Sequence, residues 1–131
     1  MRDAFQIPVD LFYTKNHQWL AVDENIVTFG VTEYGLKKIG EIVYVDLPED
    51  GTRVAVDAEF ASLESVRHIM DLFSPFNGMI TEVNYRLFED PSIINDDPYG
   101  EGWIFMAELD NEKDLASLLR SSEYKAHLQS L

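Results

Sequence analysis

Residues 60–73, FASLESVRHIMDLF, carry apolar-alternating runs on both sides of the tripeptide Val66-Arg67-His68. Alternation of apolar and polar side chains is typical of a strand that buries one face. The pattern predicts two strands, at residues 60–66 and 71–73, that face each other across a tight connection. This hairpin is the centre of the predicted fold.

Similar runs extend the β pattern on both sides of the hairpin. Turn-forming residues separate them, for example at residues 23–25 (DEN), 48–51 (PEDG) and 75–78 (PFNG). Short strands joined by turns are typical of an antiparallel β domain. The further predicted strands lie at residues 19–22, 26–30, 41–46, 79–83 and 103–109.

Two segments have helical signals. Thr32 is suited to cap a short helix near residues 32–39, which Gly40 ends. At the C-terminus, apolar residues fall at helical spacing, with a break at Ser121-Ser122; they are Leu115, Leu118, Leu119, Tyr124 and Leu128. Residues 88–102 are the longest irregular stretch.

The chain has 131 residues, the length of one ordinary domain. We expect a single domain over residues 1–131. Residues 12–110 form its β barrel or sandwich in this interpretation, and a C-terminal helical tail over residues 111–129 closes one end.

A weak internal repeat supports a fold with two related halves. Residues 40–46 (GEIVYVD) and 78–84 (GMITEVN) share the pattern Gly-x-Ile-x-x-Val-(Asp/Asn). Coincidence between two strands of similar composition is the alternative explanation.

Composition excludes several functions. The formal net charge is −14, from 10 Lys plus Arg against 24 Asp plus Glu, which disfavours binding to nucleic acid or anionic lipid. The absence of cysteine excludes disulfides, thiolate nucleophiles and Cys-ligated metals. No run approaches the roughly 20 apolar residues of a membrane span, and residues 1–12 lack the apolar core expected of a secretion signal. We expect a cytoplasmic, monomeric protein that does not contact membranes.

No catalytic or metal-binding constellation stands out. The three histidines, His17, His68 and His127, are too scattered in sequence for a helix-borne metal pair. The Gly100-Glu101-Gly102 segment lacks the spacing of a phosphate loop. Neighbouring carboxylates are abundant enough to be solvated surface. We therefore expect no enzyme activity and no metal site.

Several stretches, taken together, resemble the H-protein of the glycine cleavage system. They are FGVTEY at residues 29–34, GEIVYVDLP at 40–48, LESV at 63–66 and DPYGEGW at 97–103. The resemblance runs from about His17 to Leu128. It implies a mainly β, lipoyl-type barrel-sandwich hybrid with a short helix near residues 32–39 and a C-terminal helix. It also implies a carrier that shuttles an aminomethyl group among the decarboxylase, aminomethyltransferase and dihydrolipoamide dehydrogenase of that system.

Arg67 stands where the resemblance implies the lysine that bears the lipoyl group. Lipoylation needs a free amine, whereas a guanidinium stays protonated and its lone pairs are delocalised. The flanking residues of the attachment turn are Glu64, Ser65, Val66 and His68. No lysine occurs at residues 39–112. We therefore expect no lipoyl cofactor on this chain.

A second departure from the family pattern is Gln18, in His17-Gln18-Trp19, where the resemblance implies glutamate. The resemblance implies that this glutamate belongs to the cleft that shelters the amine-loaded arm. A neutral amide at position 18 lacks the attraction of a carboxylate for a cation. Asp71, also equivalent to an arm-cleft residue, is kept. His68, Ile69 and Met70 are larger than the residues that usually follow the lysine.

Three hypotheses follow. The first is a non-catalytic homologue that binds partners or regulates, without a lipoyl group. The second is a genuine lipoyl carrier in which Arg67 is engineered or erroneous. The third is an acidic binding module for another lipoyl or acyl-transfer system. The expected partners are proteins of the glycine cleavage system or a lipoate-attaching enzyme.

Overall fold

Residues 5–131 are described by a computed structural model. These residues form nine strands, four α-helices and one 3₁₀-helix. In order, the elements are β1 Phe12–Tyr13, β2 Gln18–Asp23, β3 Ile26–Val31, α1 Glu33–Ile39, β4 Tyr44–Asp46, β5 Arg53–Val54, β6 Glu59–Glu64, β7 Ile69–Phe73, β8 Gly78–Val83, α2 Arg86–Glu89, α3 Ile93–Asp96, β9 Phe105–Leu109, the 3₁₀-helix Glu112–Ser117 and α4 Ser121–Gln129.

The strands form two antiparallel sheets. One has six strands in the order β1-β2-β3-β9-β8-β5, and the other has three in the order β4-β6-β7. The prediction of a mainly β barrel-sandwich with a short helix and a C-terminal helix is confirmed.

The core lies between the two sheets. Phe29 and Phe105 of the larger sheet stack with ring centroids 4.6 Å apart, and Phe60 of β6 meets Phe105 edge-on at 4.9 Å. Leu63 and Leu72 of the smaller sheet are completely buried. Aromatic pairs in these geometries add to the free energy gained by burying apolar surface.

A second, smaller cluster attaches α4 to the larger sheet. Tyr124 of α4 stacks on Tyr13 of β1, with ring centroids 4.8 Å apart, and both residues are fully buried. Trp19 completes the cluster and covers Gly30, where any Cβ atom would collide with the indole ring. Residue 30 must therefore remain glycine for Trp19 to pack in this way.

The β6–β7 hairpin and helix α1 agree with the sequence analysis. Glu64 pairs with Ile69 and Leu63 with Met70, so β7 begins at Ile69, two residues earlier than expected. Thr32 caps α1 through its side chain, which accepts a hydrogen bond from the Gly35 N–H at 3.1 Å. Both features depend on residues close in sequence.

The segment at residues 88–102 was expected to be irregular, and the structure corrects this in part. Helix α2 ends within it, and α3 lies entirely inside it. Leu87 and Ile94, one from each helix, are completely buried and anchor these single turns to the core.

The C-terminal tail also differs from the expected pattern. Leu119 exchanges two backbone hydrogen bonds of 2.8 Å with Tyr13, which requires extended backbone, so no helix passes through residues 118–120. Ser121 and Ser122 begin α4 and do not interrupt it. The Arg120 N–H donates to the Glu123 carboxylate at 2.8 Å, which closes the first turn of α4.

The strand expected at residues 41–46 is shorter, because Ile42 is held elsewhere: its N–H donates to Asn95 Oδ1 at 2.9 Å. The repeat Gly-x-Ile-x-x-Val nevertheless has a structural meaning. Ile42, Val45, Ile80 and Val83 are all buried in the core, although the two copies contribute to different sheets.

Within residues 5–131, no helix has both the length and the apolar character needed to cross a membrane.

Candidate functional site

The tip of the β6–β7 hairpin is a four-residue turn, Ser65 to His68. The Ser65 N–H donates to the His68 carbonyl at 2.9 Å, and the His68 N–H donates to Ser65 Oγ at 3.1 Å. Val66 and Arg67 are the central residues and point into solvent; Val66 is 87% exposed. The Arg67 side chain makes no hydrogen bond or ion pair with residues 5–131.

The residues predicted to flank the attachment position surround this turn. Glu64 ends β6 between Tyr44 and Ile69, and its carbonyl accepts a hydrogen bond from the Val43 N–H at 2.8 Å. Ser65 organises the turn through its hydroxyl. Hydrogen bonds on both sides of Arg67 therefore support the turn that presents it.

Helix α1 packs beside the tip and brings two lysines to it. Lys37 and Lys38 line a shallow concavity of about 290 Å³ together with Glu41, Ser65 and Arg67. No lysine lies near position 67 along the sequence, but the fold places two beside it in space. An adjoining, mainly apolar groove of about 220 Å³ runs between α1 and β7; its lining residues are His17, Gly35, Lys38, Ile39, His68, Ile69 and Met70.

A larger cleft of about 430 Å³ lies at the opposite end of β7. Four residue steps along a strand place it about 13 Å from the tip end of β7. Its walls come from the β1–β2 loop, the β5–β6 loop, the end of β7 and the C-terminal tail. The lining residues are Thr14, Lys15, Asn16, Gln18, Val56, Asp57, Phe73, Ser74, Pro75, Ser117, Leu118 and Leu119.

Gln18 is completely buried in the wall of this cleft. Its Nε2 donates to the Phe73 carbonyl at 2.7 Å, and its Oε1 accepts from the Phe73 N–H at 3.0 Å. The side-chain amide therefore makes the two backbone hydrogen bonds that a neighbouring strand would make, and it covers this part of the edge of β7. A carboxylate has no N–H to donate to the Phe73 carbonyl, so an amide is the side chain that satisfies both backbone groups.

Asp71 lies apart from the cleft. It is exposed on β7, pairs with Ser62 of β6, and is not among the residues that line the cleft. The two side chains assigned to the arm cleft from sequence, Gln18 and Asp71, therefore have different surroundings.

A hydrogen-bonded cluster under the tip was not foreseen from sequence. His17 Nδ1 lies 2.9 Å from the Tyr124 hydroxyl, which in turn lies 2.7 Å from Thr32 Oγ1. Burial, followed by repulsion from His127 and Lys38, lowers the pKa of His17 to about 4. Burial also raises the pKa of Tyr124 above its usual range. His17 is therefore neutral at physiological pH.

The histidines are less scattered than their sequence positions suggest. The rings of His17 and His127 lie 6.2 Å apart, and His17 and His68 line the same groove. No group of three potential metal ligands occurs among the residues that the structure describes. The spacing of the three histidines in the sequence does not predict that they lie close together. They come from different elements, which meet only in the folded chain.

The two sheets and the projecting β6–β7 hairpin define the class of protein, a barrel-sandwich domain of the lipoyl-carrier type. The model of the glycine cleavage H-protein family matches residues 11–131. The chain belongs to this family, which is one of carrier proteins and not of catalysts.

Individual relatives support the assignment over nearly the whole chain. The chain is 44% identical over 123 residues to the glycine cleavage system H protein of Psychrobacter sp. (strain PRwf-1), covering 93% of this chain and 98% of the relative. It is 40% identical over 125 residues to that of Halothermothrix orenii, covering 95% and 98%. It is also similar to the crystal structure of a glycine cleavage system H protein from Mycobacterium marinum, with a TM-score of 0.86, 34% identity, and coverage of 95% of this chain and 100% of that chain.

Proposed function

We propose that this chain is an H-protein homologue that acts without a lipoyl arm, as a non-catalytic partner-binding or regulatory protein of the glycine cleavage system. The observation that carries the proposal is Arg67 at the tip of the β6–β7 turn. The resemblance to the family assigns the lipoyl lysine to this position. A guanidinium cannot replace that amine as a nucleophile.

The geometry of the turn indicates why position 67 should lack a lipoyl group. Arg67 is exposed, and the flanking residues Glu64, Ser65 and Val66 match the family pattern. Access for a lipoate-attaching enzyme is therefore not the obstacle. Since the side chain at position 67 does not fit an amide-linked lipoyl group, we derive no aminomethyl transfer through this chain.

Lys37 and Lys38 are amines that the fold brings beside position 67, because they line the same concavity as Arg67. Both belong to the last turn of α1. Neither is at the tip of a hairpin, which is the position that the family resemblance gives to the modified lysine. We therefore expect them to remain unmodified.

The alternative is a genuine lipoyl carrier in which Arg67 is engineered or erroneous. The 44% identity to a relative over nearly the whole chain favours it. In that case Arg67→Lys restores lipoylation, and the lipoylated variant supports glycine decarboxylation.

Intact-mass measurement after co-expression with a lipoate ligase, in medium with lipoate, tests the proposal. We expect the unmodified mass for the wild-type chain and a lipoyl adduct for Arg67→Lys as matched positive control. An adduct on the wild-type chain would contradict the proposal, and the variant Lys37→Ala/Lys38→Ala would show whether α1 carries it. If lipoylated Arg67→Lys supports glycine decarboxylation at the rate of an authentic H-protein, the alternative is correct.

A further inference from the structure

We propose that the surface formed by Lys37, Lys38, Arg67 and His68, named here the basic tip, docks an acidic segment of a partner protein. In that segment carboxylates alternate with apolar side chains. The inference rests on the proposed function in one respect: an unmodified Arg67 keeps its charge, whereas an acylated amine loses it.

The distribution of cations supports this docking surface. The chain has only 10 Lys and Arg against 24 carboxylates. Arg53 and Arg86 pair with Asp110 and Glu101 on other parts of the surface. Three of the ten cations converge instead on the concavity beside the turn.

Among residues 5–131, Glu41 is the one carboxylate that lines that concavity. Lys37, Lys38 and Arg67 form no ion pair within the same range. Lys38 Nζ lies 5.7 Å from the centre of the Tyr34 ring, a contact that leaves its N–H donors available. The basic tip is therefore a local region of positive charge on an acidic molecule, complementary to carboxylates.

Exposed apolar side chains border these cations. Val66 is 87% exposed and Ile69 is 65% exposed, one on each side of Arg67 and His68. Tyr44, 55% exposed, lies across Glu64 from Ile69 in the three-stranded sheet. Apolar and aromatic side chains grouped around an arginine are typical of the centre of a protein interface.

The shape of the surface favours a protein segment over a small molecule. The concavity and the adjoining groove, about 290 and 220 Å³, share Lys38, Ile39 and His68 and form one shallow, continuous depression. Small-molecule pockets usually bury most of the ligand, whereas this depression is open to solvent along its length. A strip of this kind instead accepts successive side chains of an extended segment, with carboxylates at the cations and apolar groups along Ile39, Ile69 and Met70.

Arg67 has the central part in this arrangement. Its planar guanidinium can bind a carboxylate through two parallel N–H donors, which a lysine ammonium cannot reproduce. The side chain is free to do so, since the turn holds the backbone through Ser65 and His68 and makes no use of the guanidinium. The residue that removes the acylation chemistry thus supplies a carboxylate-binding group.

Selection from a random peptide library displayed on phage tests the inference, with the wild-type chain, verified as unmodified by intact mass, as bait. We expect enriched peptides in which Asp or Glu alternates with apolar residues. Synthetic versions of these peptides should lose affinity about tenfold, or 1.4 kcal/mol, with Arg67→Ala, and less with Arg67→Lys. Lys37→Ala/Lys38→Ala should weaken binding similarly, whereas the matched control Lys113→Ala/Lys125→Ala should not.

Three results would overturn the inference: enrichment without acidic residues, an equal loss with the control variant, or full competition by inorganic phosphate at the peptide concentration. The last result would assign the surface to small anions. The two proposals fail separately, since a lipoyl adduct with intact peptide binding contradicts only the first. Absence of peptide binding by the unmodified chain contradicts only the second.

Discussion

The two ends of strand β7 differ in how their polar groups are used. At one end, Arg67 projects from the turn with no partner among residues 5–131. At the other end, Phe73 has both backbone groups paired with the buried amide of Gln18. Arg67 and Gln18 are also the two positions at which the sequence resemblance predicts a departure from the H-protein pattern.

The difference shows that these two predicted departures need not have one cause. Gln18 joins the two sheets, because β2 belongs to the larger sheet and β7 to the smaller. The Arg67 side chain makes no hydrogen bond or ion pair with residues 5–131, so we expect it to contribute to the binding of other molecules and not to stability. Changes at Gln18 should therefore affect stability, and changes at Arg67 should affect recognition.

Gln18→Ala is expected to have the largest effect on stability. The change removes two hydrogen bonds and leaves the Phe73 N–H and carbonyl without partners beside the cleft. We expect the free energy of unfolding to fall by about 2 to 3 kcal/mol. Urea denaturation followed by tryptophan fluorescence measures it.

Gln18→Glu is the matched control that keeps the size of the side chain. Its carboxylate can accept from the Phe73 N–H but repels the Phe73 carbonyl oxygen, so the pKa of the introduced carboxyl should rise. The loss in unfolding free energy relative to the wild-type chain is then largest above the raised pKa. It shrinks as the pH falls through that pKa, because the protonated carboxyl can donate to the Phe73 carbonyl. A penalty independent of pH would show that the two bonds to Phe73 do not form in solution.

His17 lies between the two regions, since it precedes Gln18 in the chain and its ring lines the groove beneath the basic tip. Its pKa is lowered from 6.5 to about 4, so the unfolded chain binds this proton more readily than the folded chain. The stabilisation is complete above pH 6.5 and is lost as the pH falls towards 4. Because the ring is only half-buried, we expect a loss of about 1 to 2 kcal/mol, measured by urea denaturation at several pH values.

His17→Asn removes this titration and suits the left-handed backbone of residue 17, whose φ is +67°. Its urea midpoint should change less between pH 6.5 and 4 than that of the wild-type chain. His68→Asn, at the exposed turn, should keep the wild-type dependence. The interpretation is wrong if His17→Asn and the wild-type chain lose stability in parallel.

Tyr124→Phe tests the same cluster with a smaller expected effect. The hydroxyl contacts His17 Nδ1 and Thr32 Oγ1, but Thr32 keeps its bond from the Gly35 N–H. We expect a loss of about 1 kcal/mol in unfolding free energy. Tyr44→Phe, the same chemical change at an exposed side chain whose hydroxyl makes no hydrogen bond with residues 5–131, should leave the Tm unchanged.

Sequence reasoning succeeded where the determining residues are close together. The cap at Thr32, the end of α1 at Gly40 and the β6–β7 turn depend on residues within a few positions. It missed the two-residue strands β1 and β5, because such short segments have no measurable periodicity and exist through pairing with distant strands.

Within the candidate site, sequence located the turn but not the contacts around it. Gln18 and Phe73 are 55 residues apart, and His17 and Tyr124 are 107 apart. The sequence around an amide in a strand is the same whether its side chain binds a ligand or hydrogen-bonds the backbone of another strand. Only the packing of β2 against the end of β7 distinguishes a cleft residue that binds from one that holds the sheets together.

Arg67→Ala should have the smallest effect on stability and completes the comparison between the two ends of β7. The side chain is exposed and makes no bond to residues 5–131, and the turn depends on the Ser65 hydroxyl. We expect the unfolding free energy to stay within about 0.5 kcal/mol of the wild-type value. Ser65→Ala at the same turn removes the acceptor of the His68 N–H and should lower stability more. If Arg67→Ala destabilised the chain as much as Gln18→Ala, Arg67 would be a structural residue, and its assignment to recognition would be wrong.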